Sequence, residues 1–263
     1  MDKVSLNVLR EFGKYRDLLK LLVLRDIRLK YRRSLLGYLW SVLNPLLIMV
    51  VMTVVFSTLF SRDIDNFPVY LFTGQLLFNF MNHATHQAIF SLTGNASLLK
   101  KTYVPRYIFT VAKVTSALAE LVFSMAALGI VILLTGGILT WHVLLTPLVL
   151  AQLYLFCLGL GLLLATANVF FRDTQFLYNA VTTAWLYLTP VFYPISMLPG
   201  WLREIVEGLN PMYAYIAQFR ALVYSGNLPE LRQVAAGCAA AGLMLAVGVF
   251  CFRKGENQLI LYL

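Results

Sequence analysis

With 60% hydrophobic residues, 13% charged residues and a mean hydropathy of +0.75 over 263 positions, the chain is excluded from the ordinary soluble domains, which carry about a quarter charged residues. Its formal charge of +9 is unevenly placed, so siding rather than net charge carries the information. Cys157, Cys238 and Cys251 stand singly in apolar runs without CxxC or Cys/His spacing, which argues against a metal or disulfide framework and for simple packing residues.

Residues 1–33 hold ten Lys or Arg. Asp2, Glu11, Asp17 and Asp26 break any short apolar core there, so the N-terminus does not read as a secretory signal. Within residues 4–15, Val4, Val8, Phe12 and Tyr15 share one stripe with Asn7, Arg10, Glu11 and Lys14 opposite, the pattern of a helix lying in the membrane interface. Residues 16–33 mix apolar and charged side chains around the whole circumference, which suits snorkelling, contact with a partner protein, or plain anchoring on lipid head groups.

From Ser34 to Ser61 there are 28 residues without a charge, enough for one passage through a bilayer core that needs about 20 helical residues. Further charge-free stretches are Asn66–Leu99, Leu121–Phe171, Thr174–Leu202 and Gln233–Phe252. The 51 residues of Leu121–Phe171 exceed one passage and divide at Gly136, Gly137, Thr140, Trp141 and His142. The expected result is six spans with cores at 36–60, 69–92, 110–135, 144–168, 176–194 and 232–252. Lipid offers no partner to a bare peptide group, and the chain lacks the ten-residue alternation of a membrane barrel, so the spans must be helices. The fold class is all-α and polytopic, one domain over 1–263, with an interface region at 1–33, a six-span body at 34–252 and a tail at 253–263.

Basic residues sort by side. Residues 1–33, then Lys100, Lys101, Arg106 and Lys113, then Arg172, Arg253 and Lys254 put 17 on one face, against Arg62, Arg203, Arg220 and Arg232 on the other. That bias places both termini in the cytoplasm, where the charge suits anionic lipid and no soluble domain remains to bind nucleic acid.

Two connections are more than turns. Leu98 to Tyr107 is compact, basic and aromatic, either a short surface helix or an ordinary positively charged loop. Beyond span five, about 37 residues from Ile195 to Leu231 are too long for a turn and too apolar for a solvated loop. Pro190, Pro194, Pro199 and Pro211 cut this region, leaving short helices at Trp201–Leu209 and Met212–Tyr224 that read as a pair dipping back toward the membrane. Such a pair implies a pathway or gate. Tyr187, Phe192, Tyr193, Trp201, Tyr213, Tyr215, Phe219 and Tyr224 crowd here, as an interfacial aromatic belt or as flat faces for sugar rings.

Glu120 is the only acid well inside a span, seven residues beyond Lys113 on nearly the same helix face, and an ionisable group there needs a partner. A lone carboxylate makes a poor proton relay, so a subunit interface or gate is expected. His83 and His86 lack a third ligand nearby, and polar lining or helix contact is the better reading. No GxxxxGK[ST], GxSxG or HExxH motif occurs, so the chain has no phosphate loop with which to hydrolyse ATP.

Leu24, Arg25, Asp26 with Lys30, Tyr31, Arg32, then Ser34 to Trp40 and Asn44, Pro45 resemble the permease subunits of type-two ABC exporters for bacterial polysaccharides such as O-antigen, capsule and wall teichoic acid. Phe170, Phe171, Arg172, Asp173 and Leu209, Asn210, Pro211 with Phe219, Arg220 extend the match over essentially the whole chain. The resemblance implies a multi-pass protein of the bacterial cytoplasmic membrane that forms a homodimer, binds two copies of a separate ATPase subunit and moves a lipid-linked glycan. The chain itself would hold no cofactor, ATP and Mg being bound by the partner ATPase. The resemblance further implies an interface helix at residues 4–30 and an ATPase coupling loop comprising Leu99, Lys100, Lys101, Tyr103, Pro105 and Arg106. It places an extracytoplasmic gate at Pro199–Tyr224, with a conduit between the two permeases. Tyr187, Phe192, Tyr193, Trp201, Tyr213, Tyr215 and Phe219 are its gate and conduit aromatics. Arg28, Lys30, Arg32 and Arg33 form a basic cytoplasmic entrance for a pyrophosphate-linked lipid head or a general anchor. Arg172 and Asp173 are expected to pair as a latch. The competing readings are a type-two permease for small hydrophobic substrates and an ion-coupled carrier, the latter requiring internal repeats and several membrane acids that the sequence lacks.

Overall fold

Long apolar runs close every backbone hydrogen bond within themselves by forming helix, and helices then bury their more polar or small-residue faces on one another while apolar faces turn outward. The computed structural model describes residues 15–31, 37–60, 64–101, 104–137 and 139–262. Most of the expected interface helix over 4–15, with Arg32, Arg33 and Tyr103, lies outside them. The α-helices are α1 Arg16–Tyr31, α2 Trp40–Phe60, α3 Phe67–Ile89, α4 Ala96–Lys101, α5 Tyr107–Leu134, α6 Thr146–Phe170, α7 Thr174–Leu188, α8 Gly200–Leu209, α9 Pro211–Val223 and α10 Leu231–Tyr262. Among the described residues there is no strand.

Each expected span core falls on a helix. Among the described residues, Tyr107–Leu134, Trp141–Phe170 and Leu231–Glu256 are long and apolar enough to cross a membrane, and Trp40–Phe56 is a shorter apolar helix. Leu47, Val51 and Val54 of α2, Val122 and Leu133 of α5, and Leu243 and Phe250 of α10 are exposed, so the apolar surface expected of a polytopic membrane protein faces outward. Inside, α3 is the central helix. Sixteen of its residues are buried, against α5, α6, α9 and α2.

Two boundaries differ from expectation for local reasons. The fifth core, expected over 176–194, is helical only to Leu188, because Thr189 is extended and Pro190 has no N–H to continue the ladder. At about 1.5 Å per residue, α7 is then roughly 22 Å long, short of a bilayer core. The last helix runs past the expected core end at 252 to Tyr262, because Arg253, Lys254, Glu256, Gln258 and Leu259 are good helix formers and a charge does not end a helix. The two proline-bounded helices beyond α7 are α8 and α9, with nearly the bounds expected.

The heaviest helix contact joins α6 to α10. It is permitted by glycine, since a Cβ on Gly159 would strike the Met244 backbone and one on Gly248 would strike the Gly159 carbonyl. A second, smaller cluster gathers Leu22 of α1, Leu99 of α4, Phe109 of α5, Leu162 of α6, and Phe252 and Leu259 of α10. Arg106 ties the same end of the bundle together by donating to the Glu256 carbonyl.

Candidate functional site

Between α2, α3 and α5, with Lys30 of α1 at its edge, lies a cavity of about 640 Å³. Its polar wall comes from one face of α3, where Gln75, Asn79, Asn82, His83 and His86 follow the helical repeat. Asn44 and Ser41 face it from α2, and Glu120 and Ser124 from α5. Asn44–Pro45 shapes the rim. Proline lacks the N–H that would bond the Ser41 carbonyl, and Ser124 Oγ reaches that carbonyl at 3.4 Å across the helix interface.

The charges expected at depth assemble here. Glu120 does not pair with Lys113 on its own helix: its Oε2 receives Lys30 Nζ at 2.6 Å and lies 3.3 Å from His83 Nδ1. Gln87 Nε2 stands 2.8 Å from His83 Nε2. An amide nitrogen only donates, so this contact suits the tautomer in which Nε2 accepts. Lys113 Nζ instead lies 2.9 Å from Asp26 Oδ2, close enough for an ion pair but without hydrogen-bond alignment. Asp26 and Lys30 sit one turn apart on α1 and meet Lys113 and Glu120 two turns apart on α5, so two opposite-charge pairs fasten the first helix to the bundle. Arg28 is exposed and is not among the residues that line the cavity.

The aromatic residues expected at a gate do not share one environment. Tyr215 and Phe219 are wholly enclosed in the core, with Tyr215 donating to the Gly237 carbonyl at 2.9 Å, and Phe192 is buried against Phe56 with ring centroids 5.5 Å apart. Tyr187 and Trp201 are exposed. Tyr193 is partly buried and donates to the Tyr187 carbonyl at 2.7 Å. Tyr213 lines a separate cavity of about 210 Å³ with Arg203, Glu207, Glu230 and Arg232.

This segment is pinned by two side chains. Asn210 caps α9 by accepting from the Met212 and Tyr213 amides, accepts from Trp185 Nε1 at 2.8 Å and donates to Thr189 Oγ1 at 2.9 Å. Arg220 donates to the carbonyls of Tyr70, Pro190 and Val191 at 2.8 to 3.3 Å and lies over the Tyr70 ring at 3.5 Å. Tyr224, whose phenol burial holds above its ordinary value and hence protonated, donates to the Asp65 carbonyl.

In the coupling-loop region, Leu99 is buried while Lys100 and Lys101 are exposed at the end of α4, and Pro105 and Arg106 are partly buried. Arg172 and Asp173 do not form the expected latch. Both are exposed just before α7 and make no ion pair with each other. The polar stripe of α3 was the feature sequence reasoning passed over beyond its two histidines. Its signal was present as five polar residues at helical spacing within a charge-free run.

The ABC-2 type transporter family matches residues 17–224. The chain is 32% identical to the O-antigen export system permease protein RfbA of Myxococcus xanthus over 95% of this chain and 98% of that protein. It is 28% identical to RfbA of Klebsiella pneumoniae over 86% and 87% of the two chains. It is 25% identical to the capsule polysaccharide export inner-membrane protein CtrC of Neisseria meningitidis serogroup A over 76% of each. A match over most of the chain, joined to near full-length similarity at this level, establishes that the protein belongs to the ABC-2 type transporter family.

Proposed function

We propose that this protein is the permease subunit of an ATP-driven exporter that carries a lipid-linked polysaccharide across the bacterial cytoplasmic membrane. The observation that carries the reading is its end-to-end similarity to an O-antigen export permease. An outward apolar surface around a polar cavity supports it.

In this reading α2, α3, α5, α6, α7 and α10 are the six spans and both termini are cytoplasmic, a placement that the 17 to 4 division of basic residues supports. Two permeases form a homodimer, and α8 and α9 are the re-entrant pair at its outer mouth. Two copies of an ATPase subunit, which bind ATP and Mg, dock from the cytoplasm on α4 and its exposed Lys100 and Lys101. Leu99 and Leu22 share one packed cluster with α5, α6 and α10, so a push on α4 moves helices rather than a loose loop. The pairs Asp26–Lys113 and Lys30–Glu120 make α1 follow α5. The exposed Tyr187 and Trp201 offer flat faces over which a glycan slides without fixed register.

The test is depletion of the protein in its native cell, followed by locating the undecaprenyl-linked glycan. Export predicts accumulation on the cytoplasmic face with loss from the surface, and unchanged surface glycan would refute it.

A further inference from the structure

Most of α7 is left unpacked by its own bundle. Of its 15 residues only Tyr178 and Thr182 are buried, with Tyr178 donating to Thr85 Oγ1 of α3 at 2.8 Å. Trp185 adds edge-on contacts with Phe78 of α3 and Phe156 of α6. The rest of the helix faces outward, and its chemistry changes around the circumference. Leu177, Val181 and Leu188 are exposed together and make an aliphatic sector suited to lipid. On the far side of the exposed surface, Asn179 and Thr183 stand one turn apart, with Phe176, Ala180 and Ala184 beside them and exposed as well.

Asn179 decides what that second sector faces. Thr183 Oγ1 donates to the Asn179 carbonyl at 2.8 Å, so the hydroxyl is answered along its own helix. The Asn179 carboxamide has no such bond among the described residues. Hydrocarbon offers it none, and polar side chains within spans turn to protein or to water. Water would answer the carboxamide but gives no reason for the exposed Phe176 ring, nor for two alanines four residues apart, a spacing that lets another backbone approach closely. A second helix accounts for all three. A carboxamide carries two donors and an acceptor, so it is its own complement. Two copies with the same orientation in a membrane are related by an axis along the membrane normal, which sets a helix near that axis against its counterpart, each residue meeting itself at equal depth.

We infer that α7 is the helix on which two copies of this chain meet, packed on its own counterpart about the two-fold axis, with reciprocal Asn179 hydrogen bonds and Ala180 and Ala184 at the closest approach. The aliphatic sector of Leu177, Val181 and Leu188 stays in lipid. This interface rests on the homodimer of the export reading and adds to it a location.

In native membranes, Asn179→Cys and Thr183→Cys, made singly in the full-length protein, should give disulfide-linked dimers on oxidation with copper phenanthroline, above the background that the parent protein shows from its own cysteines. Leu177→Cys and Val181→Cys should give at most about one tenth as much. Thr183→Cys keeps Asn179 in place, so its cross-link reads the undisturbed interface. In lipid bilayers, energy transfer between labelled copies should show that Asn179→Leu weakens dimerisation about tenfold, and that Asn179→Gln, which keeps a carboxamide, recovers most of the loss. The unfolding midpoint of the detergent-separated monomer should be unchanged by Asn179→Leu, because the position is exposed in the single chain. A fall there would make Asn179 a packing residue of one subunit and overturn its role. Equal cross-linking at 177 and 181, or full dimerisation of Asn179→Leu, also overturns the interface. So does labelling of Thr183→Cys by a membrane-impermeant maleimide without cross-linking, which would mark a water-lined face. If dimers form but link elsewhere, the homodimer stands and only α7 loses its place. If depletion leaves surface glycan unchanged while positions 179 and 183 cross-link, it is the export reading that falls.

Discussion

Arg220 shows what one side chain does for a turn that has no helix to hold it. Its planar fork reaches three carbonyls on two segments, the first turn of α3 and the Pro190–Val191 turn after α7, while its face lies on Tyr70. Gly74 leaves it the room, since a Cβ there would come within 2.6 Å of Arg220 Nη2. Lysine has one ammonium in place of the fork and cannot bridge the three, so Arg220→Lys should lower unfolding stability in detergent by about 2 kcal/mol. Gly74→Ala should act in the same direction by displacing the guanidinium, and midpoints equal to the parent protein in both variants would remove the clamp from this account. The sequence made Arg220 conspicuous as a basic residue on the outer side, yet not its role, because backbone carbonyls thirty and 150 residues away carry no sequence signature. Glu120 was likewise legible as a charge in need of a partner. Its partner was expected at a subunit interface or gate and is Lys30 within the chain, because side-chain spacing along α5 says nothing of α1 lying alongside.

Helices meet here through two kinds of contact, and each predicts a different failure. The α1–α5 joint is ionic and partly exposed, with Lys30 44% and Glu120 15% accessible, so its coupling in a Lys30→Met, Glu120→Gln cycle should be about 1 kcal/mol. Lys30→Glu alone should impair export, and adding Glu120→Lys should restore it; no rescue would mean that the pair is not what joins the helices. The α6–α10 joint is steric. Gly248→Leu drives a side chain into the Gly159 carbonyl, and separation of the helices should cost about 3 kcal/mol or more, measured as loss of the folded fraction in a detergent-to-SDS titration. Helix positions were readable from charge-free runs because only helices satisfy the backbone in lipid. Helix ends were less so. Thr189–Pro190 stops α7 early by backbone chemistry, while α10 continues through Arg253 and Lys254 because charge marks the lipid boundary rather than the helix end.

At the scale of the whole molecule the proposed ATPase coupling needs a packed path from α4 into the bundle. Leu99 anchors α4 in the cluster that also holds Phe109 of α5 and Phe252 of α10, and Arg106 fastens the following turn to the Glu256 carbonyl. Lys100 and Lys101, by contrast, are exposed and make no contact that the cluster needs. Reversing them should therefore spare the fold and act only on the proposed ATPase contact. Lys100→Glu with Lys101→Glu is expected to leave the detergent unfolding midpoint within about 0.5 kcal/mol of the parent, as for surface changes generally. In membranes carrying the partner ATPase, ATP hydrolysis should persist while surface glycan falls several-fold. Normal surface glycan in that variant would take the coupling role away from α4. A fall in the midpoint with loss of both activities would instead show that the two lysines hold the bundle together, and would make α1, through Asp26 and Lys30, the remaining candidate for carrying the stroke into α5 and the cavity wall.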